Sequence, residues 1–255
     1  MTGPTGRLAG KVVVVTGAGR GQGAAFARRL TADGATVVGL DLSAEPVEQL
    51  DGVRYVQLDV TDAGGWAALG ADLVQRHGRV DGLVANAGIT WRARVPDAAP
   101  EDVARVHAVN VLGTLLGIQT VTPLMAGGGS IVVIGSVAGL TGHYPVAYTA
   151  SKWALRGVAK AASLELGPRN IRVNIVHPGW IETPMSASAA PAFRAGNLAE
   201  TPLGRLGTVD DITPLITFLL SDDATYISGA EIPVDGGLSA HGGTKSISDA
   251  MREPT

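Results

Sequence analysis

The chain has 255 residues, no cysteine and a formal net charge of −3, with 20 basic and 23 acidic side chains. This charge gives no general attraction to nucleic acid or acidic membranes, and the absence of cysteine excludes disulfides and thiolate metal sites. The five histidines are dispersed without metal-ligand spacing, so no metal is expected. No stretch resembles a signal peptide or approaches about eighteen apolar residues, so we expect a cytoplasmic protein that does not enter a membrane.

The first predicted elements flank a glycine-rich turn. Residues 11–16 form an unbroken β-branched run, typical of a strand buried on both faces, and residues 24–32 favour a helix. The glycines between them let backbone N–H groups approach a diphosphate, and the helix N-terminus adds partial positive charge. Their spacing differs from the common G-x-G-x-x-G pattern. We predict a nucleotide site whose loop contacts are Gly17, Arg20, Gly21, Gln22 and Gly23.

The second predicted strand, residues 36–41, ends in Asp41, 24 residues after Gly17. At that position a carboxylate can accept hydrogen bonds from the adenosine ribose and would repel a 2′-phosphate, which favours NAD over NADP. Arg20 argues in the opposite direction, because a basic side chain in the glycine loop can pair with that phosphate. We give Asp41 the greater weight because it occupies the ribose position, and we expect NAD contacts at Asp41 and Leu42.

The remaining elements alternate between strand and helix. Further strands are predicted at residues 53–58, 81–86, 131–134, 171–176 and 230–235. Further helices are predicted at residues 61–76, with Thr61 as the N-cap, 100–125, 148–166 and 208–220. Pro233 indicates an edge position for the last strand. The alternation predicts an α/β fold, a Rossmann-type doubly wound parallel sheet of about seven strands with helices on both faces.

A single domain is expected for residues 1–255, with its core at about 7–238. Residues 180–207 are rich in Ala, Gly, Pro and Ser and carry a weak helical signal, so they are predicted to form a mobile lid over the substrate. The polar tail, residues 239–255, is expected to be loosely ordered.

Tyr148 and Lys152 are four residues apart in a predicted helix, so their side chains point the same way. A free phenol has a pKa of about 10, too high to exchange a proton readily at neutral pH. An ammonium about 4 Å away contributes roughly 4 kcal/mol at an effective dielectric of about 20, enough to lower the pKa of Tyr148 by about three units. The phenol would then act as a general acid/base, with Ser136 holding a substrate oxygen beside it. By itself, Tyr-x-x-x-Lys is usually an exposed amphipathic pair.

The motifs along the chain, taken in order, resemble those of the short-chain dehydrogenases/reductases. They are Thr16-Gly-Ala-Gly-Arg-Gly-Gln-Gly23, Asn86-Ala-Gly88, Asn110, Ser136, Tyr148-x-x-x-Lys152 and Pro178-Gly179, spread over the core. The resemblance implies that Tyr148 is the catalytic acid/base and that Ser136 orients the substrate carbonyl. It also implies that Lys152 binds the nicotinamide ribose and lowers the pKa of Tyr148, and that Asn110 holds a water behind Lys152.

The same resemblance places the rest of the cofactor. The family's contacts that match this sequence are, from adenine to nicotinamide, Asp59, Val60, Asn86, Ala87, Gly88, Pro178, Gly179, Ile181 and Thr183. Asp59 and Val60 would lie near the adenine, and the residues from Asn86 to Gly88 beneath the cofactor. Ile181 and Thr183 would lie against the nicotinamide carboxamide. A homotetramer is also implied, through the helices at about 100–125 and 147–166.

Several scaffold segments are similar to those of bacterial 3α/20β-hydroxysteroid dehydrogenases, which reports relatedness better than substrate. The substrate walls are expected from residues 89–96, 137–145 and 180–206. Within or beside them, the candidate lining residues are Trp91, Ala138, His143, Tyr144, Trp180, Met185 and Phe193. His143 is left outside the catalytic set, because the family does not need it. His177, before Pro178 at a strand end, is expected to be structural.

We therefore expect an NAD(H)-dependent oxidoreductase that transfers hydride between nicotinamide and a secondary alcohol or ketone, such as a hydroxysteroid or another bulky hydrophobic alcohol. One alternative is an NADPH-dependent 3-oxoacyl or polyketide-type ketoreductase, against which Asp41 argues. The other is a non-catalytic NAD-binding sensor, against which the complete catalytic set argues.

Overall fold

The structure is a computed structural model and describes residues 6–252. Its strands form one parallel sheet, and they are β1 Val12–Thr16, β2 Thr36–Asp41, β3 Arg54–Gln57, β4 Gly82–Ala85, β5 Gly129–Ile134, β6 Ile171–Pro178 and β7 Glu231–Val234. Their order across the sheet is β3-β2-β1-β4-β5-β6-β7. The order reverses between β1 and β4, which is where open parallel sheets bind ligands. The predicted doubly wound α/β fold is confirmed.

Helices connect the strands on both faces of the sheet. They are α1 Gly21–Ala32, α2 Ala63–His77, α3 Pro100–His107, α4 Gly113–Val121, α5 Val146–Leu166, α6 Pro184–Ala187, α7 Pro191–Glu200, α8 Val209–Leu220 and α9 Lys245–Ala250. Val14 of β1 packs in one buried cluster with Trp66 of α2 and Leu155 of α5. Its neighbour Val15 packs in a second cluster with Phe26 of α1 and with α8. Successive strand residues therefore serve opposite faces, as the uninterrupted apolar runs predicted.

The first residues of helices α1 and α2 differ from the prediction. Helix α1 begins at Gly21, three residues before the predicted start, and Gly21 itself has a φ of 59°, in the left-handed region. Asp62, and not Thr61, is the N-cap of α2, since its carboxylate accepts from the backbone N–H of Gly64. Thr61 instead donates to the Asp59 carboxylate.

The long helix predicted over residues 100–125 is interrupted. Residues Ala108–Leu112 form a π-helical turn between α3 and α4, in which Gly113 N–H bonds to the carbonyl of Ala108. Asn110 lies in this turn and is fully buried. Such π-turns are commonly found at functional sites, where they redirect a side chain.

Other differences concern the later elements. Strand β6 extends to Pro178, two residues beyond the predicted end. Strand β7, which carries Pro233, lies at the edge of the sheet, as predicted from that proline.

The lid predicted at residues 180–207 contains two helices, α6 and α7, despite its weak helical signal. A capping box formed by Thr183 and Ser186 starts α6. The tail also differs from the loosely ordered segment predicted, since it turns back over α7 and forms α9. The Nε2 of His241 donates to the carbonyl of Glu200, the last residue of α7, at 2.9 Å. Within residues 6–252, no helix combines the length and apolar character needed to cross a membrane.

Candidate active site

The glycine turn after β1 has a shape that side chains would obstruct. Gly17 adopts a φ of 66°, in the left-handed region. A Cβ at Gly23 would lie 1.9 Å from the carbonyl oxygen of Gly17, and one at Gly17 would lie 2.9 Å from Ala87. The backbone therefore passes close enough to β4 and to itself that only glycine fits. Gly21 and Gln22 begin α1 here, and the Arg20 side chain is exposed.

The ends of β1 and β4 are joined by one side chain from each. Thr16 Oγ1 accepts from the backbone N–H groups of Asn86 and Ala87, at 2.9 Å each. In return, the Asn86 amide donates to the carbonyls of Thr16 and Gly17, at 2.9 and 3.2 Å. These bonds fix the crevice at the point where the strand order reverses, with Gly88 at its floor.

The end of the crevice beside β2 is acidic. Asp41 Oδ2 accepts from the backbone N–H of Gly19 at 2.8 Å, which places the carboxylate against the glycine turn. Burial raises the pKa of the nearby Tyr55 phenol, and the charges of Asp41 and Glu45 raise it further. Leu42 is largely exposed beside it.

A second carboxylate at the turn was not predicted. Glu48 Oε1 accepts from the backbone N–H of Gly21 at 2.5 Å, and its other oxygen pairs with Arg28 at 2.8 Å. Glu48 lies in a connecting loop, 27 residues from Gly21. Its sequence neighbourhood carries no motif, so sequence reasoning had no signal with which to find it.

The two residues predicted near the adenine occupy different environments. Asp59 is exposed and accepts from the backbone N–H and the hydroxyl of Thr61, at 2.8 Å each. Val60 is buried and packs against Gly113 of α4, where a Cβ would lie 2.7 Å from its side chain.

Ser136, Tyr148 and Lys152 are brought together at the carboxyl end of β5. Ser136 follows the strand and accepts from the backbone N–H of Ala138 at 3.1 Å. Helix α5 places Tyr148 and Lys152 on one face, with the ammonium 5.6 Å from the centre of the phenol ring. The buried Lys152 Nζ donates to the carbonyl of Ile134 at 2.8 Å.

The pKa values of this pair depart from the prediction. Burial raises the pKa of Tyr148, while its hydrogen bond with Ser136 acts in the opposite direction. Burial also lowers the pKa of Lys152 to about 8. The predicted fall in the pKa of Tyr148 is therefore wrong for the protein alone, because desolvation of the phenol outweighs an ammonium that is directed at Ile134.

Asn110 uses its whole side chain to join neighbouring elements. Its Oδ1 accepts from Ile89 N–H at 2.8 Å, and its Nδ2 donates to Ile89 O at 3.0 Å and to Ser151 Oγ at 2.9 Å. A Cβ at Gly88 would lie 3.2 Å from Asn110 Oδ1 and 3.7 Å from Lys152 Nζ, so these three residues meet. Both Nδ2 hydrogens are thus committed to protein partners, and the acceptors that Asn110 keeps for a water are a second lone pair of Oδ1 and its main-chain carbonyl.

A cavity of about 760 Å³ opens beside Ser136 and Tyr148. Its predicted wall residues are Ala138, His143, Tyr144, Trp180, Met185 and Phe193. The Phe193 ring lies at the centre of an aromatic cluster, 5.2 Å from His143, 5.2 Å from Trp180 and 5.6 Å from Tyr144. Thr90, Arg92 and Asn197, from the predicted wall segments, also line the cavity. Leu238 and His241 line it as well and lie outside those segments.

Trp91 was predicted to line the pocket and does not. Its ring is partly exposed, outside the cavity, with the guanidinium of Arg105 lying 5.1 Å from its centre. In the loop that follows β4, the Trp91 side chain points toward α3, whereas its neighbours Thr90 and Arg92 point toward the cavity.

The nicotinamide side of the predicted cofactor site borders the same cavity. Pro178 ends β6 in a buried position, and Gly179, Ile181 and Thr183 line the cavity wall that follows it. Gln22 lines it from the opposite side, and its buried Oε1 has no hydrogen-bond partner within residues 6–252. An unpaired buried acceptor, a glycine-only turn and a strand-end carboxylate in one crevice fit a dinucleotide.

These features define a dinucleotide-binding oxidoreductase, and comparison with known proteins identifies the family. A family model described as enoyl-(acyl carrier protein) reductase matches residues 17–239. The chain belongs to the short-chain dehydrogenase/reductase family, as the motifs predicted. It is an oxidoreductase that acts on CH–OH groups and uses a nicotinamide cofactor, which leaves no place for the non-catalytic sensor.

Two relatives and one solved structure show how near the resemblance is. Trans-4-hydroxycyclohexanecarboxylate dehydrogenase of Sinomonas cyclohexanicum is 40% identical over 250 residues, covering 92% of this chain and 95% of its own. The 3-alpha-(or 20-beta)-hydroxysteroid dehydrogenase of Mycobacterium tuberculosis (strain ATCC 25618 / H37Rv) is 41% identical over 244 residues, covering 92% of each chain. The crystal structure of levodione reductase superposes with a TM-score of 0.85 at 32% identity, covering 91% of this chain and 99% of its own.

Proposed function

We propose that the protein is an NAD(H)-dependent dehydrogenase that transfers hydride between nicotinamide and a ring-bearing secondary alcohol or its ketone. The observation that carries this proposal is that Ser136 and Tyr148, with Lys152 buried beside the phenol, face a cavity walled by aromatic rings. Such a wall suits a flat apolar ring, since aromatic side chains combine large contact area with few rotatable bonds. The two relatives described above are named for ring alcohols, a hydroxycyclohexane carboxylate and hydroxysteroids.

In this proposal Tyr148 is the general acid in ketone reduction and the general base in alcohol oxidation. Ser136 Oγ holds the substrate oxygen beside the phenol and keeps it in line for transfer. The bound nicotinamide supplies or accepts the hydride. Burial raises the pKa of Tyr148, so in the protein alone the phenol is protonated, which is the form needed for ketone reduction. To act as the base in alcohol oxidation, the phenolate has to be stabilised by the Lys152 ammonium and by the bound cofactor.

Lys152 has one partner in Ile134 and two further N–H bonds, which we assign to the nicotinamide ribose and to proton exchange. The carbonyl of Asn110 accepts from Thr114 at 2.8 Å and has a second lone pair, which we assign to the water behind Lys152. Asn110 thus acts through its main chain, while its side chain fixes the loop at Ile89 and helix α5.

The other cofactor contacts follow the crevice. Asp41 binds the adenosine ribose, and the glycine turn binds the diphosphate. The residues from Asn86 to Gly88 lie beneath the cofactor, with Asp59 and Val60 at its adenine end. Ile181 and Thr183 hold the nicotinamide end. We assign a preference for NAD over NADP to Asp41, which lies against the glycine turn at the ribose position, while the charge of Glu48 is paired with Arg28.

We also propose a cytoplasmic homotetramer. Helix α5 carries exposed apolar side chains at Trp153 and Leu164, and Leu112 and Leu115 at the start of α4 are exposed in the same way. These side chains suit a contact between copies formed through the long helices. The chain contains no cysteine, as suits a reducing compartment.

The proposal is tested by measuring reduction of NAD and NADP in parallel with cyclic alcohols, hydroxysteroids and simple open-chain secondary alcohols. We expect turnover with NAD and a ring alcohol. Turnover only with NADP would support the biosynthetic ketoreductase instead, and inactivity with every alcohol would refute the substrate class.

The same assay tests the role of Tyr148. We expect Tyr148→Phe to lower kcat by about 10³-fold or more, since positioned acid/base groups contribute roughly 10²- to 10⁴-fold. NADH binding, measured by fluorescence, should be unchanged. Tyr144→Phe is the matched control, because Tyr144 lines the same cavity and lies four residues earlier. Equal activity in the two variants would exclude Tyr148 as the acid/base.

A further inference from the structure

His177 lies next to the last residue of β6 and is fully buried. Its Nδ1 lies 2.9 Å from the carbonyl oxygen of Ser136. Nδ1 also lies 3.4 Å from the backbone N–H of Ser136. A carbonyl can only accept, so the shorter contact assigns the proton to Nδ1, which then donates to Ser136 O and does not accept from the N–H. Gly135, which precedes Ser136, leaves the space for the His177 ring, since a Cβ on residue 135 would lie 2.6 Å from Nδ1 of His177. The imidazole is thus fitted against the backbone of the residue whose hydroxyl faces Tyr148.

The other ring nitrogen faces a carboxylate. Nε2 of His177 lies 3.6 Å from Glu231 Oε2 on the neighbouring strand β7, and it has no hydrogen-bond partner within residues 6–252. Burial lowers the pKa of His177, and the charges of Arg156 and Lys152 act in the same direction, while Glu231 and the bond to Ser136 oppose them. The ring is therefore a neutral donor at neutral pH, consistent with its bond to a carbonyl.

Arg156 is a second donor to the loop that follows β5, and it pairs with Glu231, the carboxylate that His177 also faces. Arg156 of α5 donates from Nε to Glu231 at 2.6 Å and from its terminal nitrogen to the carbonyl of Gly139 at 3.2 Å. Ser136 is the N-cap of the short 3₁₀ turn Val137–Gly139, so one side chain holds each end of the turn, His177 at Ser136 and Arg156 at Gly139. Both donors lie outside the cavity that contains Tyr148.

We propose that His177 is a positioning residue for Ser136, acting with Arg156 and Glu231 as a support behind the active site. This inference rests on the proposed role of Ser136 as the group that orients the substrate oxygen. A hydroxyl that must align a carbonyl within a few tenths of an ångström needs a rigid backbone, and small misplacements are costly in rate. Loss of the support should therefore lower kcat and leave the cofactor site unaffected.

The test compares His177→Leu with Asn174→Leu. Asn174 is the matched control, because it is also a fully buried polar residue of β6 that bonds to backbone, at Ile227 and Ala230, away from Ser136. We expect His177→Leu to lower kcat roughly 10- to 100-fold with unchanged NADH affinity. His177→Asn should restore most of the rate, since asparagine carries an N–H donor at the same distance along the side chain. Asn174→Leu should lower the melting temperature without a selective loss of kcat.

Hydrogen–deuterium exchange of the peptide covering residues 135–140 gives a readout that does not need a substrate. We expect faster exchange there in His177→Leu and not in Asn174→Leu. If His177→Leu does not fold, Arg156→Met carries the test at the other end of the turn. Unchanged exchange, or a kcat equal to that of the control, would overturn the positioning role even if the wild type oxidises ring alcohols. If the wild-type enzyme oxidises no ring alcohol, the exchange result still decides whether His177 positions Ser136.

Discussion

At the scale of single residues, the cofactor end of the crevice is controlled by two carboxylates on one glycine turn. Asp41 accepts from Gly19 and Glu48 accepts from Gly21, on either side of Arg20. In the proposed cofactor pose, a 2′-phosphate would meet the Asp41 charge at short range, whereas the hydroxyl of NAD can donate to Asp41. Because Glu48 is already paired with Arg28, the proposed preference for NAD rests on Asp41.

Replacement of Asp41 by Ser should therefore change cofactor preference. We expect the ratio of kcat/KM for NADP to that for NAD to rise roughly tenfold or more, equivalent to about 1.4 kcal/mol. Asp51→Ser removes one charge from the same region, where Asp51 contacts only Gln49, and should leave the ratio unchanged. A ratio that stays constant in Asp41→Ser would show that Glu48 or the backbone sets the preference.

At the scale of elements, helix α7 forms the outer wall of the substrate cavity and contributes one aromatic ring to it, that of Phe193. Phe193 lies within 5.6 Å of three other aromatic rings, which come from the loop after β5 and from the end of β6. Helix α7 has no fully buried residue. Its position consequently depends on this aromatic cluster and on the contacts at its ends.

We expect Phe193→Ala to raise KM for a ring alcohol roughly tenfold, because each aromatic pair is worth about 1 kcal/mol and the substrate loses one ring of its wall. The kcat for small open-chain alcohols should change little, since Tyr148 is on a different element. Leu198→Ala on the same helix is the control, as Leu198 is exposed and outside the cavity. Equal KM values in the two variants would exclude Phe193 from the substrate wall.

The π-turn between α3 and α4 shows how an element can serve the site without touching substrate. A regular helix would direct Asn110 differently, and its amide would lose Ile89 or Ser151. The extra residue of the turn places a fully buried amide between the β4 loop and α5. The helix irregularity is thus the reason that Gly88, Asn110 and Lys152 meet.

At the scale of the whole molecule, the tail encloses the cavity on the side opposite to β4. Leu238 and His241 line it, and His241 bonds the tail to the carboxyl end of α7. Its Nδ1 accepts from Gly243 N–H at 3.1 Å, so the ring uses both nitrogens. The His241 imidazole therefore joins the tail to the lid, in addition to the main-chain bond from Leu203 N–H to the carbonyl of Gly236.

Substitution of His241 by Ala should loosen this cover. We expect limited proteolysis to cut residues 187–191 faster, and KM for a ring alcohol to rise several-fold while NADH affinity is retained. Lys245→Ala is the control, because the Lys245 ammonium pairs with Asp249 inside α9. Proteolysis at the control rate would show that the tail does not hold the lid.

Much of this protein is determined by the sequence itself. The seven strands, the glycine turn, Asp41 and the Ser136–Tyr148–Lys152 set are readable because each depends on a few neighbouring residues. Uninterrupted apolar runs specify buried strands, and an i, i+4 spacing specifies a shared helix face, wherever the segment is placed. The fold was predicted on this basis, and the family and enzyme class from the resemblance of the ordered motifs to a known family; all three are confirmed.

Only the tertiary structure decided the environment of these residues. The pKa of Tyr148 rises because distant segments bury the phenol, and Trp91 faces solvent because of the path of the β4 loop. Glu48, His177 and His241 act across gaps of 27 to 41 residues, between segments that carry no common motif. Burial and long-range contact depend on how elements pack, and a local pattern does not contain that information.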